Sequence, residues 1–258
     1  MSKFVEKIKH VASNTSAPIG FIRPASGSNT PAILLIQDIT SSLIKKGKEI
    51  MVSDLDAIII KIDALDASAF EKLVKNHADL PVGVLLDTGI YQDLTSFMEA
   101  GCDFVLFDLD TLVNSVSQET LGKILRISKA LTPGLIKAIN DLNLSIDSVL
   151  IENQKSEINV DLLLSCHLFL DILNKPLIIN VKKILTTIEL SELHTAGVRV
   201  LLLSAEVSTK EIGELRRNIN SMPKLAIKKS SGRPLIPALN NAIKTERGDD
   251  DGEDEESD

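Results

Sequence analysis

The chain has 258 residues, 44% of them hydrophobic, which is enough to bury one sizeable core. Its net charge of −8 comes from residues 249–258 (DDDGEDEESD), and the rest of the chain balances 28 acidic against 28 basic side chains. A body without basic excess is not expected to bind nucleic acid or an anionic membrane surface. The longest apolar runs are far shorter than the roughly 20 residues that cross a bilayer. The N-terminal MSKFVEKIKHVASN lacks the apolar core of a secretory signal.

The two cysteines favour a cytoplasmic location for the protein. Cys102 and Cys166 lie within apolar stretches, so we expect buried thiols in a reducing compartment. Neither has a second cysteine or a histidine at ligand spacing, and the four scattered histidines give no metal cluster. We therefore assign no metal ligands from the sequence. The sequence leaves the cofactor unknown, including whether a flavin or a metal is bound.

Short β-branched runs alternate with longer helical patterns along the chain, which is typical of βα units and a parallel sheet. The apolar runs predict strands over residues 19–22, 57–62, 82–86, 104–107, 125–129, 148–151, 177–181 and 200–203. Helical spacing predicts helices over residues 4–12, 32–46, about 67–76, 91–100, 133–142, 160–173, 187–195 and about 209–219. Predicted cap residues include Asp66 or Ser68, Asn159, and Ser208 or Thr209. Gly101 and Gly197 follow predicted helix ends.

Eight such units favour a closed barrel over an open sheet. Doubly wound sheets usually have five or six strands, and no glycine-rich turn follows the first predicted strand. We therefore predict an α/β fold, a single (β/α)8 TIM-type barrel, over residues 1–223. Residues 224–247 are predicted to form a C-terminal extension packed on the barrel. Residues 248–258 are predicted to be a disordered acidic tail, which is either solubilising or a contact for a basic partner.

Barrel enzymes carry their active sites on the loops that follow the strands. Asp87 and Asp108 directly follow apolar runs of neighbouring strands and are the first candidates for a catalytic base or a metal ligand. Lys61 and Lys129 are candidate catalytic nucleophiles if their side chains point into the barrel. Glu152, after the sixth predicted strand, is a candidate ligand-binding residue.

The segment PLIINVKKILTTIELSELHTAGVRVLLLSAEV (residues 176–207) resembles the last two units of phosphate-binding βα barrels. The match includes Thr186, Ala196, Gly197 and Ser204, and FMEAGCDFVLFD (residues 97–108) resembles the same helix–strand unit. The resemblance implies a barrel with a phosphate site after strands seven and eight. This chain departs from that pattern: Val181, Lys182 and Lys183 stand where the family has Gly-Gly, and Leu203 replaces the glycine before Ser204.

Those glycines let backbone N–H groups approach a phosphate closely. Their replacement leaves two alternatives: phosphate binding was lost, or Lys182 and Lys183 bind an anion through charge beside Ser204. The sequence therefore leaves two alternative functions open. One is an enzyme of lyase or isomerase type that performs acid–base chemistry on a small anionic molecule. The other is a catalytically degenerate barrel that acts as a binding or interaction scaffold.

Deletion of residues 249–258 tests the assignment of the acidic tail. Dense like charge without apolar side chains cannot offset the entropy of ordering, so we expect the melting temperature to stay almost unchanged while the pI rises. Differential scanning calorimetry of the full-length and truncated chains measures this. A drop of several degrees on truncation would show that the tail docks on the body.

Overall fold

Eight parallel strands close into a barrel in the computed structural model, which describes residues 2–13, 31–39, 54–64, 66–89, 91–155 and 157–222. The strands are β1 (Leu34–Asp38), β2 (Ala57–Lys61), β3 (Val82–Leu85), β4 (Phe104–Asp108), β5 (Gly122–Ser128), β6 (Ser148–Glu152), β7 (Leu177–Val181) and β8 (Val198–Leu203). Each strand pairs with the next in the chain, and β8 pairs with β1 from Leu34 opposite Val200 to Gln37 opposite Leu203. The predicted TIM-type barrel is confirmed.

The helices of the described residues are α1 (Lys3–Ser13), α2 (Ala67–Asn76), α3 (Thr95–Glu99), α4 (Pro133–Asp141), α5 (Val160–Ile172), α6 (Thr187–Thr195) and α7 (Thr209–Ser221). Asp66, Asn159 and Ser208 cap α2, α5 and α7, each by accepting a backbone N–H of the first turn. Such caps contribute about 1 kcal/mol each. Gly101 and Gly197 follow α3 and α6 with φ values of +96° and +91°, a left-handed conformation that glycine adopts without strain.

Side chains of successive strand residues alternate between two apolar layers. The inner layer fills the barrel with residues such as Ile36, Ile59 and Leu106. The outer layer packs the strands against the helices and includes Leu35 and Ile58. Both faces of the sheet are buried, which explains why the strands read as continuous apolar runs.

Helix α1 closes the N-terminal end of the barrel. Phe4, Ile8 and Val11 belong to the inner apolar layer, and the Phe4 ring lies 4.7 Å from that of Phe104. Asp103, directly before β4, accepts hydrogen bonds from Ser2 Oγ at 2.8 Å and from the amides of residues 3 and 4 at 2.8 and 2.9 Å. Apolar packing and a capping carboxylate together fix the helix across this end.

The helix predicted over residues 32–46 is wrong in its first part, because Leu34–Asp38 forms β1. The prediction relied on helical spacing of Ile33, Ile36, Leu43 and Ile44, but residues 33–36 are one uninterrupted apolar run. Such a run is typical of a strand buried on both faces. The strand predicted at residues 19–22, the extension at 224–247 and the acidic tail lie outside the described residues.

Two boundaries differ from prediction by three residues or more. Strand β5 begins at Gly122 rather than at residue 125; a Cβ at Gly122 would lie 2.6 Å from Val5 Cγ2, so the glycine lets α1 approach this strand. The helix predicted from residue 91 begins only at Thr95. Residues before it are held to the loop after β4, since the amides of Gly89 and Gln92 donate to Asp110 O and Ser115 Oγ.

No helix within the described ranges has the length and apolar character that crossing a membrane requires. The chain divides into two units, Met1–Leu225 and Ala226–Asp258, and all described residues belong to the first.

Gly83 provides a test of the interior packing. A Cβ at this position would lie 2.4 Å from Phe104 Cε2, so we expect Gly83→Ala to lower the free energy of unfolding by about 1–3 kcal/mol through overpacking. At Gly134 in α4 a Cβ would have no neighbouring atom within 4 Å, and Gly134→Ala should instead stabilise the protein by up to about 1 kcal/mol. Urea denaturation measures both, and equal midpoints for the two variants would contradict this account of the core.

Candidate functional site

The C-terminal ends of the strands surround a cavity of about 170 Å³. Inner-layer side chains such as Ile59, Leu106 and Leu150 form its apolar part. The polar lining comes from five strands or the residues that directly follow them: Asp38, Arg126, Glu152, Asn180, Lys182 and Ser204. An engineered cavity of about 150 Å³ accommodates benzene, so this mouth cavity suits a small molecule.

Arg126 and Asp108 form a two-bond ion pair beside the cavity. Arg126 Nε and Nη2 donate to the two carboxylate oxygens of Asp108 at 2.5 and 2.6 Å. The residues are neighbours in the β4–β5 register, so strand pairing positions this ion pair. Hydrogen bonding to Asp108 raises the pKa of Arg126, and the negative charges of Glu152 and Asp38 add to that rise. One fixed guanidinium therefore lies within the electrostatic reach of three carboxylates.

Asp38 is the last residue of β1 and lies on the same, inner face of the strand as Leu34 and Ile36. Its Oδ1 atom is buried and has no hydrogen-bond partner within the described ranges. Burial raises the pKa of this carboxyl above 3.8, and the positive charges of Lys61 and Arg126 only partly oppose that effect. Asp38 is therefore a carboxyl whose ionised form is poorly stabilised, directly beside the cavity.

Hydrogen bonds between side chains and loops fix the rim of the cavity. Asn180 accepts from the amide of Asn153 and donates to its carbonyl at 3.2 Å, which ties β7 to the loop after β6. Gln37 is buried and donates to Val207 O at 2.9 Å, which holds the loop after β8. The Ser204 amide donates to Val181 O at 3.1 Å. These contacts orient the loops that carry the polar lining.

Three of the predicted ligand-binding residues, Lys182, Ser204 and Glu152, line the same cavity. Lys183, the fourth, is half-buried and is not one of the lining residues. The sequence could not distinguish these two lysines. The structure does, because Lys182 lines the cavity and Lys183 does not.

The four predicted catalytic residues lie around this end of the barrel but do not line the cavity. Asp108 is hydrogen-bonded to Arg126. Lys61 is exposed at the end of β2, and its positive charge opposes the rise in the pKa of Asp38 that burial causes. Asp87 is half-buried and its amide donates to Gln92 Oε1 at 3.1 Å. Lys129 is exposed and forms an ion pair with Asp161 at the start of α5.

Sequence reasoning missed Asp38 and Arg126. The helix predicted over residues 32–46 concealed Asp38, although an apolar run over residues 33–36 ends one residue before Gln37–Asp38. Arg126 lies inside β5, away from the strand ends where active-site residues are expected. Its signal was a lone arginine two positions after the inward-facing Ile124.

The described part of the chain contains no cluster of three or more His, Cys, Asp or Glu side chains that could hold a metal ion. Cys102 and Cys166 are both buried and free, and burial raises the pKa of each thiol to about 12. Neither cysteine contributes to the cavity.

Comparison with known proteins supports the fold and no more specific relationship. No family model matches the chain, and a search of curated proteins found no match. Among solved structures, one match is a protein from Aquifex aeolicus VF5, which is described only as the subject of a structural study. It is 11% identical in sequence, with a TM-score of 0.54, and the match covers 85% of this chain and 97% of that protein's chain.

A variant of the tryptophan synthase alpha-subunit from Pyrococcus furiosus is 14% identical with a TM-score of 0.52 and covers 73% of this chain and 97% of its own. A second variant of that subunit is 13% identical with the same TM-score and coverage. Identities this low show a shared barrel architecture alone, because one barrel fold supports many unrelated functions.

Proposed function

We propose that the mouth cavity binds a small molecule with an anionic group, and that Asp38 exchanges a proton with it in lyase- or isomerase-type chemistry. The observation that carries this proposal is the buried, unpartnered Oδ1 of Asp38, among the described residues, in a carboxyl that lines the cavity. Burying a polar atom without a partner costs about 1–3 kcal/mol, and such strain is common at functional sites.

The anion would lie between Lys182 and Ser204. Both line the cavity, and the hydroxyl and ammonium groups offer donors that do not require close backbone approach. Leu203 and Val181 block the backbone cradle of the resembling barrels, so binding here depends on charge. Arg126 adds a positive charge that Asp108 holds in place.

Asp38 suits the proton-transfer role better than the two carboxylates predicted to be catalytic. Asp108 uses both oxygens on Arg126, and Asp87 does not line the cavity. A general acid or base works best when its pKa lies toward the working pH, and burial shifts the pKa of Asp38 in that direction. Lys61 and Arg126 would then stabilise the ionised form after the proton leaves.

A binding scaffold is the second candidate function, and exposed apolar side chains favour it. Tyr91, Leu109, Leu112 and Val113 are between 44% and 62% exposed in the loops after β3 and β4. Hydrogen bonds join these two loops, so the four side chains share one end of the barrel. Exposed apolar groups on adjoining loops are typical of surfaces that bind another protein.

Asp38→Asn tests the burial of the carboxyl. Because its pKa is raised, the folded state binds the proton more tightly than the unfolded chain, so wild-type stability falls as the pH rises from 3.8 through the raised value. The neutral amide avoids this loss. We expect the variant to melt at a higher temperature than wild type at pH 7, with a smaller difference at about pH 3.5.

The exposed Asp110 supplies the matched control, and Asp110→Asn should change the free energy of unfolding by no more than about 0.5 kcal/mol. A destabilised Asp38→Asn variant at pH 7 would mean that the carboxylate is compensated, and the acid–base proposal would lose its main support.

Lys182→Ala and Lys183→Ala test the anion site as a matched pair. At low ionic strength we expect saturable binding of inorganic phosphate or a sugar phosphate to wild type, measured by NMR titration. Lys182→Ala should weaken that binding by roughly fivefold, equivalent to about 1 kcal/mol, while Lys183→Ala binds as wild type does. Added salt should weaken binding to wild type and to Lys183→Ala alike.

If phosphate binding to wild type does not saturate, or if Lys182→Ala binds phosphate as tightly as wild type, the proposed anion site is wrong. The scaffold function then becomes the better account, and Leu112→Ser with Val113→Ser should reduce binding of whichever protein partner is isolated, without altering the melting temperature.

A further inference from the structure

Helix α5 carries apolar side chains on its outer side as well as on the side that packs against the barrel. Cys166 and Phe169 are fully buried on the inner side. Val160, Leu164 and Leu168, which follow one another at four-residue spacing, lie on the opposite side and are between 44% and 70% exposed. A helix that is apolar all round is typically buried on all sides. The outer side of α5 is therefore a candidate contact surface for another molecule.

Exposed apolar side chains also occur on the two helices that flank α5. Helix α5 packs between α4 and α6, whereas the other helices of the described residues expose no large apolar side chain. Exposed apolar side chains concentrated on adjoining helices are typical of protein-binding surfaces. This surface does not include the lining of the mouth cavity or the loops after β3 and β4. We define the α5 face by five exposed residues: Leu135, Val160, Leu164, Leu168 and Ile188.

The order of side chains along the outer side of α5 is symmetric about Leu164. Val160 and Leu168 lie four residues to either side of it, and the exposed Asp161 and His167 lie three residues to either side. Two such helices that cross antiparallel at Leu164 bring each Val160 next to Leu168 of the second copy. They also bring each Asp161 opposite His167 of the second copy, so an acid faces a base. The outer side of α5 is therefore complementary to itself, which is the property that a two-fold interface requires.

We propose that the chain forms a two-fold symmetric dimer through the α5 face, with α5 antiparallel to its counterpart in the second copy. Charge complementarity selects this arrangement, because a parallel pair of helices would set each Asp161 against Asp161 of the second copy. Lys129 donates to Oδ2 of Asp161, and Oδ1 can accept a hydrogen bond from the imidazole of His167 across the interface. A standard interface buries about 800 Å² on each partner, and Leu135 and Ile188 on the flanking helices extend the contact toward that area.

Leu164→Glu tests the dimer at the position where the two copies meet. Val113→Glu is the matched control, because Val113 is also apolar and exposed but belongs to the loop after β4. We expect sedimentation equilibrium at micromolar concentration to give wild type and Val113→Glu twice the mass of the single chain. Leu164→Glu should weaken association at least about thirtyfold, because it places two carboxylates together at the centre of an apolar interface. Far-UV circular dichroism verifies that both variants keep the fold.

Disulfide trapping tests the antiparallel arrangement. On oxidation Leu164→Cys should link to itself, since the two-fold axis brings the two copies of this residue together. Val160 lies about 6 Å from the axis along the helix, so its two copies are about 12 Å apart, beyond the roughly 7 Å between Cα atoms that a disulfide spans. Val160→Cys should therefore link to Leu168→Cys in a mixture and not to itself. Wild type is the control, because Cys102 and Cys166 are buried.

A wild type that sediments as a monomer, or a dimer that Leu164→Glu leaves intact, would overturn the proposal, and the α5 face would then not bind a second copy. Dissociation by Val113→Glu and not by Leu164→Glu would move the contact to the loop after β4 and would also overturn it. Self-linking of Val160→Cys without a mixed product would show parallel helices and refute the antiparallel dimer.

Discussion

Closure of the sheet between β8 and β1 governs where polar side chains can lie in this protein. Once the sheet closes, inner side chains have no exit to water except at the two ends of the barrel. The middle must then be apolar and tightly filled, which the contact between Gly83 and Phe104 illustrates. Polar side chains on the inner face are confined to the ends, so charged residues gather where the strands stop.

The two ends meet that constraint differently. At the N-terminal end α1 inserts Phe4 and Ile8 into the barrel, and Asp103 holds the start of the helix. At the C-terminal end no helix of the described residues inserts in this way, and six polar side chains surround a small cavity. Among the described residues, this is the end where a ligand can contact residues from several strands, as in other barrels.

The volume of the mouth cavity limits the proposed ligand to a small molecule, and the charges around it are the basis for proposing an anionic group. Arg126 is surrounded by three carboxylates, and Lys61 and Lys182 add positive charge at the rim. The burial of Asp38 works against folding, whereas the pairing of Arg126 with Asp108 supports it. A site that retains an unfavourable buried carboxyl beside a fixed guanidinium is better explained by function than by stability. The exposed apolar side chains of the loops after β3 and β4 lie at the same end of the barrel.

The barrel was predictable from the residues alone, because strands buried on both faces read as apolar runs whatever their neighbours are. Residues 177–181 were predicted with their observed bounds, and the caps at Asn159 and Ser208 follow from local side-chain chemistry. The sequence also indicated that Lys182, Ser204 and Glu152 would gather, since parallel strands end on one side. Which charges act together was not predictable in this way. Whether Lys182 or Lys183 reaches the cavity, and whether Asp108 is free or bound to Arg126, depends on strand register and side-chain direction. Asp38 emerged only through the closure of β1 against β8, because a short apolar run fits a helix or a strand until its partners are known.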